Sequence, residues 1–174
     1  MNEALNNLLT RRSCRAYKEE QIKTEELDAI LEAGTFAPTG RGLQSPLIVA
    51  VQNPETVAKI EKLNAAVIGN PDAHTFYGAP TVVVVFADSE SPLGVSDANL
   101  VIGNMLNAAH AVGVDSCYIW RAAEVFDSEA GKALMKKWGV PEGMRGCGNV
   151  ILGYGEPGGI REAIPRKADY IVRA

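Results

Sequence analysis

Pro80-Thr81-Val82-Val83-Val84-Val85-Phe86 is the stretch on which the fold turns. Every residue after the proline is β-branched or aromatic, and the run does not alternate. That is the pattern of a strand covered on both faces. Downstream, Asp97 to Val112 (DANLVIGNMLNAAHAV) reads as a helix that is apolar almost all round, with Asn104, Asn107 and His110 as its polar exceptions. A helix without a clear polar face is buried. In a domain this small, burial on every side is easiest to explain if a second subunit covers part of it. Leu47 to Gln52 (LIVAVQ), Val114 to Trp120 (VDSCYIW) and Gly148 to Tyr154 (GNVILGY) read as three more strands. Helices are expected over Asn2 to Leu9, from Thr24 as N-cap to near Gly34, over Pro54 to Ile68, and over Ser128 to Trp138. Four strands and about five helices make one α/β or α+β domain spanning 1–174.

Composition narrows the function classes. With 174 residues, 47% hydrophobic and 22% charged, the chain reads as an ordinary globular protein. A formal net charge of −4 argues against general nucleic-acid binding. Cys14, Cys117 and Cys147 are odd in number and widely spaced, which fits neither a disulfide framework nor a metal site and points to a reducing, cytoplasmic setting. The stretch MNEALNNLL is not of signal-peptide type. Ala79 to Ala87, the longest apolar run, is far short of the roughly 20 residues of a membrane helix.

The chemistry concentrates in Thr10-Arg11-Arg12-Ser13-Cys14-Arg15-Ala16-Tyr17. Three guanidinium groups within five residues, with a hydroxyl among them, match the oxygens of a doubly charged phosphate. A solvated basic stretch at a helix end reads equally well from this octapeptide alone. Arg166-Lys167 in the tail could supply a second wall. Ala37 to Pro46 (APTGRGLQSP) is a loop rich in breakers whose glycines would let backbone approach a ligand. No GxGxxG follows a strand and no Walker motif occurs, so neither a Rossmann nor a P-loop site is indicated.

Taken together, Arg11-Arg12-Ser13-Cys14-Arg15-Ala16-Tyr17, Ala37-Pro38-Thr39-Gly40 with Gln44, Gly153-Tyr154 and Pro165-Arg166-Lys167 resemble the nitroreductase family of FMN-dependent oxidoreductases, nearly end to end. The resemblance implies an α+β fold, three-layer α/β/α with a mostly antiparallel central sheet, built as an intertwined homodimer with FMN sites in the interface. It implies that Arg11, Ser13 and Arg15 contact the flavin, with Arg12 nearby, and that Pro38, Thr39, Gly40 and Gln44 approach from the partner subunit. Tyr118, Ile119 and Trp120 would pass the ring, and Arg166 and Lys167 would return to the phosphate. The implied reaction is ping-pong: hydride from NADH or NADPH reaches a small nitroaromatic, quinone or related acceptor through bound FMN. No protein general base is required, and Arg15 is the candidate electrostatic support.

Two departures stand out. Gly42 and Ser45 occupy places where members of that family often carry asparagine and proline. Only Asp88 to Ser96 fills the gap where many members insert a long helical excursion, which implies a more open flavin face. Other flavin chemistry on the same scaffold (dehalogenation, enoate reduction, flavin breakdown) and a non-enzymatic flavin-binding role are the alternatives. His110 reads as a hydrogen-bonded core or interface residue, His74 as surface, Cys14 as a small space-filler and Lys136-Lys137 as a solvated helix face. Trp120 is read either as core or as flavin-side.

Overall fold

The computed structural model describes residues 2–174. The valine run forms β2 (Thr81–Asp88), one of two central strands in a four-stranded sheet of order β1-β2-β4-β3, with β1 Leu47–Val51, β3 Asp115–Ile119 and β4 Met144–Gly153. All three pairings are antiparallel: Leu47 lies opposite Phe86, Thr81 opposite Leu152, and Asp115 opposite Gly153. Between Val85 and Phe86 the register shifts by one residue, leaving Cys147 of β4 as the unpaired extra residue of a bulge.

Alternate residues of β2 feed two cores, so the run needs no polar position. Val82, Val84 and Phe86 join Cys117, Ile119 and Ile151 in a cluster completed by Val57 and Ile60 of α3 (Pro54–Val67), Phe126 of α5 (Ala122–Asp127) and Leu134 of α6 (Glu129–Lys137). Val83, Val85 and Ala87 join Val150 and Leu152 on the opposite face, under Ile30 of α2 (Thr24–Thr35) and Val101, Ile102 and Met105 of α4 (Gly94–Ala111). This is the three-layer α/β/α arrangement, with α1 (Glu3–Thr10) lying beside α4. Val82 to Val85 are all fully buried. Each such side chain contributes about 1.5–3 kcal/mol, and β2 therefore anchors both layers.

Some expectations need correction. Thr24 is not the N-cap of α2 but its first helical residue; Lys23 holds the cap, and its N–H donates to Glu26 Oε2 at 3.0 Å. The long helix starts at Gly94 rather than Asp97. A Cβ on Gly94 would lie 2.0 Å from the carbonyl oxygen of Asp88, so glycine permits the short link from β2. Helix α5 and the 3-10 turn Gly40–Gly42 were not foreseen, being too short to show a period. Nor is α4 covered all round within one chain: Val95 and Leu100 are 63% and 47% exposed. Leu5, Leu8 and Leu9 of α1 are exposed as well.

Candidate functional site

The arginine stretch leaves α1 and runs along the outer edge of β3. The Cys14 N–H donates to the Ser116 carbonyl at 3.0 Å, and Ser13 and Ser116 form a parallel bridge. On its other side the returning chain pairs with it: the Arg15 N–H donates to Gly159 O at 2.8 Å and the Glu156 N–H to Ala16 O at 2.9 Å. Lys18 N–H then donates to Tyr154 O at 2.9 Å. Small residues allow this close passage. A Cβ on Gly159 would lie 2.7 Å from Ala16 O and 2.9 Å from Cys14 Sγ.

Strand alternation sends every second side chain to the opposite face. Cys14 accordingly buries itself in the core while Arg15 is exposed, and Tyr17, after the segment turns, is buried as well. Burial pushes the Cys14 thiol above its ordinary range. It also raises Tyr17 well above its own. Neither is a charged group at neutral pH, and Cys14 is the space-filler that was expected. Its neighbours Arg11, Arg12, Ser13 and Arg15 line a cleft of about 880 Å³ together with Arg161 and Arg166 from the tail. The one acidic residue in that lining is Glu162.

Arg12 has a second task. One of its guanidinium nitrogens donates to Leu9 O at 2.8 Å and Arg11 O at 2.7 Å, pinning the end of α1. Arg166 donates from Nε to Ile164 O at 3.0 Å. Lys167 does not line the cleft; its carbonyl accepts from Tyr170 N–H in an exposed turn. Arg161, in contrast, was missed, because a lone arginine in a tail carries no sequence signal.

Arg15 and Tyr77 also line a second, smaller pocket of about 370 Å³, so the two cavities adjoin. Its wall is Cys117, Tyr118, Ile119, Trp120 and Arg121, faced by His74 and Thr75. Trp120 is 65% exposed, so it lines a cavity instead of filling the core. His74 is a surface residue, as read, but on this pocket's rim. Backbone direction follows from the pairing. Ser116 O faces the arginine stretch, so Tyr118, two residues on, turns its backbone groups to the same edge, and the Trp120 N–H follows. The arginine stretch has left that edge by then, and β3 stays open there. Burial raises the Tyr118 hydroxyl above its ordinary range, so it too is neutral.

Pro38, Thr39, Gly40 and Gln44 do not meet the arginines within this chain. Their loop is held to the start of α4: both carboxylate oxygens of the buried Asp97 accept from the Gly40 N–H, at 3.0 and 3.1 Å. Gln44 N–H donates to Thr39 Oγ1 at 3.0 Å, and Arg41, Gly42 and Gln44 all have positive φ. Glycine at position 42 suits that shape where a β-carbon would strain it. His110 has the expected local role: its Nε2 lies 2.9 Å from Thr10 Oγ1. Among the described residues no cluster of His, Cys, Asp and Glu could hold a metal ion, and no helix is long and apolar enough to cross a membrane.

A model described as "Nitroreductase family" matches residues 8–154. A protein of Archaeoglobus fulgidus, named as a candidate NADH dehydrogenase/NAD(P)H nitroreductase, is 31% identical over 88% of this chain and 86% of its own. A crystal structure of a nitroreductase with bound FMN from Bacteroides fragilis is 31% identical, covers all of both chains and superposes with a TM-score of 0.91. Another nitroreductase with bound FMN, from Desulfitobacterium hafniense, is 27% identical over all of this chain and 99% of its own, with a TM-score of 0.89.

Proposed function

The chain belongs to the nitroreductase family, and on that premise we propose that it is an FMN-dependent oxidoreductase drawing on NADH or NADPH to reduce a nitroaromatic, quinone or related acceptor. The observation that carries this reading is the continuous groove. A cationic cleft leads, past Arg15, into a pocket bounded by an unpaired strand edge.

The residues fit FMN chemically. A phosphate dianion needs several charge-assisted donors, and Arg11, Ser13, Arg15, Arg161 and Arg166 converge on the cleft. The ring's dione edge needs hydrogen-bond partners in a plane, and the open edge presents the backbone of Tyr118 and the N–H of Trp120. FMN, held by these residues, would supply the redox chemistry between nicotinamide and acceptor. The protein's part is to bind, orient and bias charge. Arg15, at the junction of the two cavities, would offer a cation to the electron-rich edge of a bound flavin. Trp120 offers an exposed aromatic face against which a planar substrate packs.

The proposed unit of function is a homodimer of this one FMN-binding domain. Leu8 of α1 lines an open groove of about 560 Å³ against Asn104 to Ala111 of α4, and Leu5, Leu9, Val95 and Leu100 of the same two helices are exposed. A second copy seated there would cover them and bring its Pro38–Gln44 loop to the flavin. The short link from Asp88 to Gly94 leaves the flavin face open, which favours a bulky acceptor and keeps other flavin chemistries on this scaffold as the second reading.

The test is spectroscopic. Protein purified with FMN should be yellow, elute as a dimer, and bleach on anaerobic mixing with NADH or NADPH. An acceptor panel of nitroaromatics, quinones, halogenated aromatics and enoates should then separate the two readings. A chain that takes up no FMN, or holds it without reacting with either nicotinamide, would overturn the proposal.

A further inference from the structure

Two asparagines outside the groove hold consecutive carbonyls at the end of β3. Asn64 of α3 and Asn149 of β4 are both fully buried. Asn64 Nδ2 donates to Trp120 O at 2.8 Å, and Asn149 Nδ2 donates to Ile119 O at 3.2 Å. The amide orientations are fixed by chemistry, because flipping either one would press its oxygen against a carbonyl oxygen. Burying an amide is unfavourable unless it is bonded. Asn149 nevertheless leaves its Oδ1 buried without a partner. An apolar residue of the same shape would avoid that penalty, so the carbonyl contact is what the asparagine supplies.

In a trans peptide the C=O and the next N–H point in opposite directions. Turning the Ile119 and Trp120 carbonyls inward therefore turns the N–H groups of Trp120 and Arg121 outward, towards the pocket those residues line. Neither N–H has a backbone acceptor among the described residues: the β3–β4 ladder ends at Ile119 opposite Asn149. Arg121 itself sits at φ 76, a left-handed shape that residues other than glycine rarely adopt. Asn64 Oδ1 accepts from Arg121 Nε at 3.3 Å, so one amide holds both the carbonyl before the turn and the side chain on it. The terminal guanidinium nitrogens of Arg121 are left for the pocket.

We propose that Asn64 and Asn149 are positioning residues, which aim the Trp120 and Arg121 N–H groups and the Arg121 guanidinium at electron density on the ring of a bound flavin. This rests on the FMN reading above. Fixed donors favour the electron-rich form of a ligand over the electron-poor one, so the asparagines raise the midpoint potential of bound FMN without touching it.

The experiment compares FMN-loaded wild type with Asn64→Asp, which keeps the shape and loses the donor, and Asn149→Leu, which removes the amide and its unpartnered oxygen together. Affinity for oxidised FMN, set mostly at the phosphate, should stay within about threefold. Reduction by saturating NADH or NADPH should slow about tenfold. The midpoint potential should fall by about 30 mV for each tenfold loss of preference for the reduced ligand. A merely structural role predicts something else: Asn149→Leu would melt earlier than wild type, since the Ile119 carbonyl loses its donor, and leave the potential unmoved. Wild-type potential and reduction rate in Asn149→Leu would overturn the proposal, and that variant decides alone if Asn64→Asp fails to fold. Should wild type itself take up no FMN, the functional reading falls first and this inference with it.

Discussion

Along the groove from Arg166 to Arg121 the donors change from side chains to backbone. In the cleft they are guanidinium groups on long, flexible side chains of the edge segment and the tail, open to salt. In the pocket they are peptide N–H groups on a strand end whose carbonyls are held from within by buried amides. The first arrangement gives affinity for charge and little geometry. The second adds little affinity and fixes direction, which is what tuning a redox group requires.

Removing the ligand's phosphate should expose this division most strongly. Riboflavin should bind about 100-fold or more weaker than FMN, since several charge-assisted hydrogen bonds, each about 1.5–3 kcal/mol, are lost. Raising the salt should weaken FMN binding and leave riboflavin binding nearly unchanged, measurable by fluorescence titration. Equal salt sensitivity for both would erase the distinction.

Arg15 belongs to both cavities, so Arg15→Ala should lower FMN affinity about 10- to 100-fold and slow reduction by the nicotinamide as well. Unchanged flavin retention and rate would remove Arg15 from the junction. Asp97→Ala takes the acceptor from the Gly40 N–H and should cost about 1–3 kcal/mol in chemical denaturation. If that loop is the partner's wall of the site, FMN affinity should fall in parallel; a loss of stability alone would detach the loop from the flavin.

The smallest effect is expected at Tyr154, whose carbonyl anchors the far end of the arginine segment and whose hydroxyl donates to Glu26 Oε2 at 2.6 Å. That bond, followed by the Lys23 N–H, holds the Glu26 carboxyl below its ordinary range. A lowered carboxyl stabilises the fold above its unfolded value, about 4.3, and loses that contribution as pH falls through the lowered one. The same bond raises Tyr154 above its ordinary range, so its contribution holds below pH of about 10 and fades as pH rises through the raised value. Tyr154→Phe should therefore melt slightly earlier at pH 7, with the gap closing in acid and again in strong base. Thermal melts across pH would check it.

How far the sequence could be read depended on the range of the interaction. The run Thr81 to Phe86 announced a doubly covered strand because each residue carries its own preference for burial. The cluster Arg11 to Arg15 showed a concentration of cations because its chemistry lies within five residues, and left a phosphate pocket and a solvated stretch equally open. Arg161 and Lys167 show the limit: both are single cations in the tail, yet the first lines the cleft and the second does not. Trp120 could not be decided between core and cavity, since that depends on which edge of β3 the arginine stretch covers and where it departs.

By itself, then, the sequence determined the four strands, the longer helices and the clustering of cations at Arg11 to Arg15, all of which follow from the local preferences of residue types, while the layered architecture came from the family resemblance. Only the tertiary structure decided the pocket end. Its directing contacts join Asn64 to Trp120 across 56 positions and Asn149 to Ile119 across 30. A buried asparagine looks the same in the sequence whatever carbonyl it holds, and the direction of a peptide N–H is set by the pairing of strands that meet only in the folded chain.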